Sequence, residues 1–261
     1  MKTDKVKLKI KSIFKGYIIF IIILLIWKIV CNLEIWNNYI LPPPEKVYNT
    51  FIKMVKDGSI FINIYSSIKR VAIGFFISSL IAIPLGIIFG ISEKLYDYFK
   101  VLFDFIRNTP PLALIPMLIL WFGIGEKSKI IIIILASFFP IFMNTLKGIR
   151  NCDKRLIEVG KAFEFSKYQI IYRIIIPNSA IDIVLGLRLA LGYSFRAIIG
   201  AELIAASSGL GYLISDAKEM SRTDIVIVGI IAIGFVGILS DWIFSKIVKL
   251  VSKGRVTETY E

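Results

Sequence analysis

Histidine is absent from this sequence. That removes the commonest general base at neutral pH, every Ser/His/Asp or Cys/His nucleophile set, and the imidazole of a structural zinc site. Cysteine is scarce as well. Cys31 and Cys152 are the only two, and they fall on opposite sides of a predicted membrane, which excludes a disulfide framework. A nucleotide-binding loop is also missing: in Gly123-Ile124-Gly125-Glu126-Lys127-Ser128 a glutamate separates the glycine from the lysine that would have to follow it, so the segment reads as a turn. Acidic residues are few, 19 against 32 Lys and Arg.

What the chain has in abundance is apolar surface. Of its 261 residues 56% are hydrophobic, and the mean hydropathy is +0.75, beyond the range of a soluble globular domain. Runs long enough to cross about 30 Å of hydrocarbon can be drawn at Phe14–Val30, Val71–Ile91, Ile106–Phe122, Ile130–Leu146, Ile183–Ala206 and Ile225–Ile243. The predicted fold class is therefore an all-α polytopic membrane protein of about six transmembrane helices. The net charge of +13 is read through membrane orientation, with no nucleic acid as partner. With an uncleaved first helix, nineteen Lys and Arg fall on the side of the two termini and of the long loop after the fourth span, against nine on the other. This predicts both termini and that loop to be cytoplasmic. A signal peptide is the rival reading of the basic start, but no small-residue cleavage site follows Val30.

Between the first two spans, Leu41-Pro42-Pro43-Pro44 precedes Val47, Phe51, Met54 and Val55 at helical spacing, with Lys46, Asn49, Lys53 and Lys56 between them. The pattern predicts a proline-started amphipathic helix that rests on the membrane surface or caps the bundle. Gly74, Pro84, Gly86 and Gly90, with Gly186, Gly192, Ser194 and Gly200, are small or bent positions that let helices approach closely. The third span carries Pro110 and Pro111 at its start and Pro116 within it. Prolines this dense break the intrahelical ladder and turn freed carbonyls toward protein or a wet cavity.

Polar residues return in force at Glu158–Pro177, between the fourth and fifth spans. Leu156, Val159, Gly160 and Phe163 recur at three- and four-residue steps, with Lys154, Arg155, Glu158 and Lys161 on other faces. After Glu164-Phe165-Ser166 a second helical run aligns Tyr168, Ile171 and Ile175, and Pro177 marks the return to the membrane. By composition the segment is either a ridge for a soluble partner or a linker on the lipid headgroups.

Glu158-Val159-Gly160, Glu164, Ile174 and Ile176-Pro177 resemble the coupling loop of permease subunits of bacterial ABC importers, whose pattern is Glu-Ala-Ala, three residues, Gly, nine residues, Ile-x-Leu-Pro. Glu158, Ile174 and Pro177 match outright, while Glu164 stands where the family has a turn glycine. Further similarity runs through Arg107-x-x-Pro110-Pro111, Trp121-Phe122-Gly123-Ile124-Gly125, Gly186–Gly192, Ala201–Gly211 and Leu41–Val47, and points to the branch importing taurine, aliphatic sulfonates, nitrate and some pyrimidine precursors. The resemblance implies a type I importer permease fold, with residues 1–62 as basic tail, first helix and amphipathic segment, 63–250 as permease core and 251–261 as cytoplasmic tail. It implies that Glu158, Val159, Gly160, Phe163, Glu164, Phe165 and Pro177 meet a cytoplasmic ATPase subunit. The implied partners are two ATPase copies, an extracytoplasmic solute-binding protein, a second permease copy in a homodimer, and the bilayer of a bacterial cytoplasmic membrane. This chain itself would bind no cofactor, ATP and Mg belonging to the ATPase.

Arg196 lies deep in the fifth predicted span, with Arg188 and Glu202 to either side. Ionisable groups at such depth must pair or meet water. Arg107, Arg188, Arg196 and Glu202 are candidates for the path of a small anion; the structural alternative pairs Arg196 with Glu202 or Asp182, on this chain or on a second copy, to hold the bundle. Three rival functions stay open: an ion-driven secondary carrier, a permease for a neutral pyrimidine-type vitamin precursor, and a non-transporting membrane scaffold, for which the intramembrane charges would have no use. The carrier would want a midplane carboxylate, which Asp182 and Asp241 near span ends supply poorly.

Overall fold

A computed structural model of the chain describes residues 18–251, with side chains through 248. The predicted basic tail, the first residues of the first span, and the positions Lys249, Lys253 and Arg255 that supported the orientation lie outside those described in full. The described residues are helical: α1 Ile18–Asn32, α2 Pro44–Lys56, α3 Ser59–Ile91, α4 Glu93–Asn108, a 3-10 turn Pro111–Leu114 leading into α5 Ile115–Phe122, α6 Glu126–Arg150, α7 Lys154–Ala162, α8 Lys167–Ile170, a π-helical turn Ile171–Ile175, α9 Ile176–Asn178, α10 Ala180–Ala205, α11 Leu210–Glu219 and α12 Thr223–Val251. Among them four helical stretches are long and apolar enough to cross a membrane, or five if α4 and the Pro111–Phe122 segment count as one bent span.

The chain divides into two compact units, one formed by the chain up to Phe61 with Leu213–Ile231, the other by Ile62–Tyr212 with the chain from Ala232. In the first, the proline-started helix forms as predicted and buries Val47, Thr50 and Met54, while Phe51 stays exposed. Its anchor is polar. The Thr50 hydroxyl donates to Asp224 at 2.7 Å, and Arg222 donates to the same carboxylate at 2.8 and 3.1 Å. Upstream, the Trp27 indole donates to the Pro42 carbonyl at 3.1 Å, tying α1 to the turn before α2.

The second unit is built on α6, which packs along α10 on one side and accepts α3 on another. The predicted small positions explain the close fit. A Cβ on Gly74 would lie 2.6 Å from the Ile133 side chain, and one on Gly86 would lie 3.0 Å from the Phe142 carbonyl oxygen. Among the described residues two apolar clusters lie in its interior. One gathers Val71, Ile115, Leu118, Ile132, Ile133 and Ile198; the other centres on Phe89, Ile141 and Phe142. Around Phe89 the rings of Phe103 and Phe142 meet edge-on at 5.0 and 5.9 Å, the geometry the ring quadrupole favours.

Two sequence expectations change. The second span begins at Ser59, not Val71, because the polar residues before Val71 are used inside the bundle. The third span is not one helix: α4 and the Pro111–Phe122 segment meet at 81°. Pro110 and Pro111 make that elbow; Thr109 N–H turns to the Ile106 carbonyl at 3.1 Å, and the side chains of Asn108 and Thr109 donate to the carbonyls of Asp104 and Phe105 at 2.8 and 3.1 Å. Pro116 does not kink the chain, since it sits in the first turn of α5 where a missing N–H costs nothing.

Replacing Gly86 by alanine should destabilise the protein by about 1–3 kcal/mol, because the added methyl meets backbone that cannot move aside. Gly234, where an added methyl would find nothing within 4 Å, serves as the control, and G234A should leave the thermal midpoint in detergent unchanged or slightly raised.

Candidate functional site

The loop after α6 is a braced helix-turn-helix. Asp153 caps α7 by accepting from the Arg155 N–H, and the helix closes in a Schellman motif: Glu164 N–H to Lys161 O at 2.9 Å and Phe165 N–H to Gly160 O at 3.0 Å. Such a motif needs a left-handed residue after the cap, and Glu164 supplies it with φ 56°. The expected turn geometry is therefore present with a glutamate in the glycine's place. Ser166 and Gln169 then form a reciprocal capping box that starts α8. The Ser-x-x-Gln spacing is the sequence signal for that second start.

Gly160 is buried where the two arms cross, and a Cβ there would lie 2.5 Å from the end of Ile174. Phe165 is half-buried beside it, with the Arg173 guanidinium 5.5 Å from its ring centre. The rest of the predicted coupling set faces outward: Glu158, Val159, Glu164 and Pro177 are exposed, and Phe163 is 72% exposed. With Leu156, Tyr168 and Tyr172, also exposed, these make an apolar ridge flanked by charge. At the α6–α7 corner Cys152 is buried, and burial pushes its thiol up.

At the opposite ends of α6 and α10 lies a cluster that sequence reasoning missed. The Arg70 side chain is 5% exposed and the Glu202 side chain 0%. Arg70 forks onto Glu126 through Nε and Nη2, both at 2.7 Å, and donates from Nη1 to Glu202 and to the Ser208 carbonyl, again at 2.7 Å; Nη2 also reaches the Ser208 hydroxyl at 2.9 Å. These five contacts match the five donors of a guanidinium. Glu202 in turn accepts from the Ser67 hydroxyl and from the Gly211 N–H at 3.0 Å, while Asn63 and Ser67 accept from the N–H groups of Gly209 and Leu210 at 2.8 and 2.9 Å. The start of α11 is thus capped by side chains from α3 and α10. Gly209 has φ 117°, and a Cβ there would run into the Glu202 carboxylate.

The pairing of Arg196 with Glu202 within one chain is corrected by this arrangement. Glu202 belongs to Arg70, and the Arg196 guanidinium lies 5.6 Å from the ring centre of Tyr193. The four candidate path residues separate into three places. Arg188 and Arg196 line one cavity of ≈ 480 Å³ between α10 and α12, where Arg188 is held bidentately by Asp241 at 2.7 and 2.8 Å. Arg107 lines another, of ≈ 340 Å³, at the elbow of the broken span. Glu202 is in the buried cluster. The signal for that cluster is the stripe Asn63, Ser67, Arg70, at steps of four and three on one helical face.

Known proteins are similar to this chain in sequence and in architecture. The profile of the family described as "Binding-protein-dependent transport system inner membrane component" matches residues 82–253. A putative aliphatic sulfonates transport permease protein of Bacillus subtilis is 38% identical over 227 residues, covering 87% of this chain and 82% of that protein. The taurine transport system permease protein of Escherichia coli is 32% identical over 223 residues, covering 84% and 81%. A nitrate import permease protein of Synechocystis is 31% identical over 239 residues, covering 88% and 86%. Among solved structures, an inward-facing methionine ABC transporter superposes with a TM-score of 0.60 at 15% identity, over 73% of this chain and 97% of that one. An amino acid ABC transporter superposes with a TM-score of 0.63 at 16% identity, over 78% and 97%. At such identities the structures speak for the fold.

Replacing Arg70 by glutamine should cost about 3–5 kcal/mol, since it strands the buried Glu202 charge, and adding Glu202→Gln should recover part of the loss in a double-mutant cycle of detergent unfolding. In the loop, Glu164→Gly should stabilise by roughly 0.5–1 kcal/mol, the relief of the left-handed backbone less the entropy of glycine, read as a raised thermal midpoint.

Proposed function

The chain belongs to the family of binding-protein-dependent transport system inner membrane components and is the permease subunit of an ABC importer; from that premise we propose that it imports a small anion and is driven through its 154–178 loop. It is a multi-pass membrane component that works with an ATPase and a solute-binding protein, and it is not itself an enzyme. We infer that two copies of the permease pair with two ATPases on the cytoplasmic side, where the loop and both termini lie, and that ATP and Mg2+ are used by the ATPase alone.

The observation that carries the coupling role is the ridge of Leu156, Val159, Phe163, Tyr168 and Tyr172, exposed apolar side chains on a segment whose internal contacts are already complete. Exposed aromatics on a fixed scaffold suit a groove in a soluble partner. ATP-driven closure of the ATPases would move this braced element and tilt the helices that enter and leave it, α6 and α10, between inward and outward openings. An anionic solute is favoured by the cavities, which offer Arg107 in one and, beside the Arg188–Asp241 pair, Arg196 in the other. The named substrates of the relatives, sulfonates, taurine and nitrate, are compatible with that charge.

Proteoliposomes holding the permease, its ATPase and the binding protein should take up solute only when ATP is supplied, and a proton gradient alone should give none. Phe163→Ala, which removes an exposed ring without disturbing the fold, should lower retention of the ATPase subunit during purification by about tenfold or more. Unchanged retention together with unchanged uptake would remove the coupling role.

A further inference from the structure

Helix α4, the first half of the broken span, has three different faces. With successive residues 100° apart, Glu93, Asp97, Lys100, Asp104, Arg107 and Asn108 fall in one sector about 100° wide that holds no apolar residue. A second sector, Tyr98, Val101, Leu102 and Phe105, is apolar and exposed, with Lys94 of the first turn beside it. The third, with Tyr96, Phe99 and Phe103, is turned to the cluster of Phe89 and Phe142.

The polar sector does not stay at the membrane surface. Near its start Tyr96 lies beneath the Arg150 guanidinium, 4.4 Å from the ring centre, at the end of α6 that enters the loop. Further along, Phe103 meets Phe142 at 5.0 Å, and Arg107 lines the elbow cavity together with Phe139 and Pro140, near the middle of α6. From Arg150 to Pro140 an α-helix rises about 15 Å, half of the ~30 Å of a hydrocarbon core. The stripe therefore climbs from the interface toward the midplane, with Glu93, Asp97, Lys100 and Arg107 exposed. Charges at such depth must pair or meet water. Arg107 does pair with Asp104 at 3.1 Å, yet these side chains are still 43% and 41% exposed.

A second copy of the chain would not seal the stripe against its own counterpart. Two copies inserted the same way round are related by an axis along the membrane normal, so each level of the stripe would meet itself. Asp97 would stand opposite Asp97 and Lys100 opposite Lys100, and like charges brought together away from water repel. Lipid is ruled out by the charges and dry self-packing by the symmetry. Water between the copies answers both.

We propose that the polar stripe of α4 is the wall of a water-filled vestibule, open to the cytoplasm and ending at the elbow cavity, through which the solute leaves the permease. The inference rests on the reading of the chain as an importer permease with its loop in the cytoplasm, and it assigns Asp97, Lys100 and Asp104 to the exit. From Asp97 to Arg107 the charged residues alternate in sign along the stripe. Such a wall is wetted without a strong field of either sign, so it lets a charged solute pass without holding it.

The test attaches a nitroxide, one position at a time, to the complex of permease and ATPase in lipid nanodiscs without nucleotide, with Cys31 and Cys152 replaced by serine. Labels at Asp97→Cys, Lys100→Cys and Asp104→Cys report the stripe; labels at Tyr98→Cys, Val101→Cys and Phe105→Cys report the apolar sector. A water-soluble nickel chelate should collide with the stripe labels about tenfold or more often than with the apolar ones, since a polar chelate is excluded from hydrocarbon. Dissolved oxygen should favour the apolar sector, and Phe105 above Tyr98. A bulky maleimide on Lys100→Cys or Asp104→Cys should abolish ATP-driven uptake by the complex with its binding protein, while on Val101→Cys it leaves uptake unchanged, all three keeping the thermal midpoint of the unlabelled protein. Four results overturn the proposal: stripe labels that favour oxygen, stripe labels closed to both probes and so covered by protein, oxygen collision equal at Tyr98 and Phe105, which would lay α4 on the membrane surface, or uptake that survives the maleimide at both stripe positions. Uptake by the unlabelled wild-type complex is read separately. Its absence removes the importer reading, whereas uptake with a dry stripe removes this proposal alone.

Discussion

Neither Arg70 nor Glu202 can be left by itself in an apolar bundle, and the second unit is arranged around keeping them together. An isolated charge within a span costs at least ~2.5 kcal/mol, and here both side chains are shut away from solvent. The contact alone would not repay that cost. What makes it stable is that the remaining valences are filled, by Glu126 and Ser208 around the guanidinium and by Ser67 and the Gly211 N–H around the carboxylate. Because those partners come from α3, α6, α10 and the turn into α11, satisfying one charge fixes four backbone segments in register. Gly209 follows from the same need, since any larger residue would occupy the space of the carboxylate.

The other end of α6 and α10 is organised by backbone chemistry. The loop has few buried side chains with which to hold a shape, and it compensates with side-chain caps at the starts of α7 and α8, a Schellman closure and a crossing point at Gly160 too tight for a side chain. Its apolar residues are thereby released from packing duty and can face outward. A segment whose shape does not depend on its exposed aromatics is free to present them to something else. This separates the roles within the predicted coupling set: Gly160 and Phe165 shape the element, while Val159 and Phe163 meet what surrounds it.

Much of this is legible in the sequence, because hydropathy, proline and glycine act locally. The apolar runs, the proline-started α2, the close approaches at Gly74 and Gly86 and the two-armed loop all follow from short-range patterns. The misses share another origin. Arg70 reads as a surface charge because a hydropathy window ends at the first strong polar residue, and nothing local reveals that Glu202, 132 positions away, completes it. The broken span is recognisable, but which proline breaks it depends on helix position: Pro110 and Pro111 precede a first turn, and Pro116 falls inside one. Sequence sorts Arg107, Arg188 and Arg196 by depth alone, and depth does not say which face of a helix opens onto a cavity.

The π-helical turn at Ile171–Ile175 accommodates one residue more than an α-helix would in the same rise. Its presence means that the loop's second arm and the span that follows are out of phase by about the 100° that a single helical residue subtends. Ile174, which covers Gly160, and Pro177, which leads into α10, thus take facings that an unbroken α-helical spiral would not give them. Shortening the arm by one residue would rewind the spiral, swing Ile174 off the glycine and dissolve the joint where the arms cross.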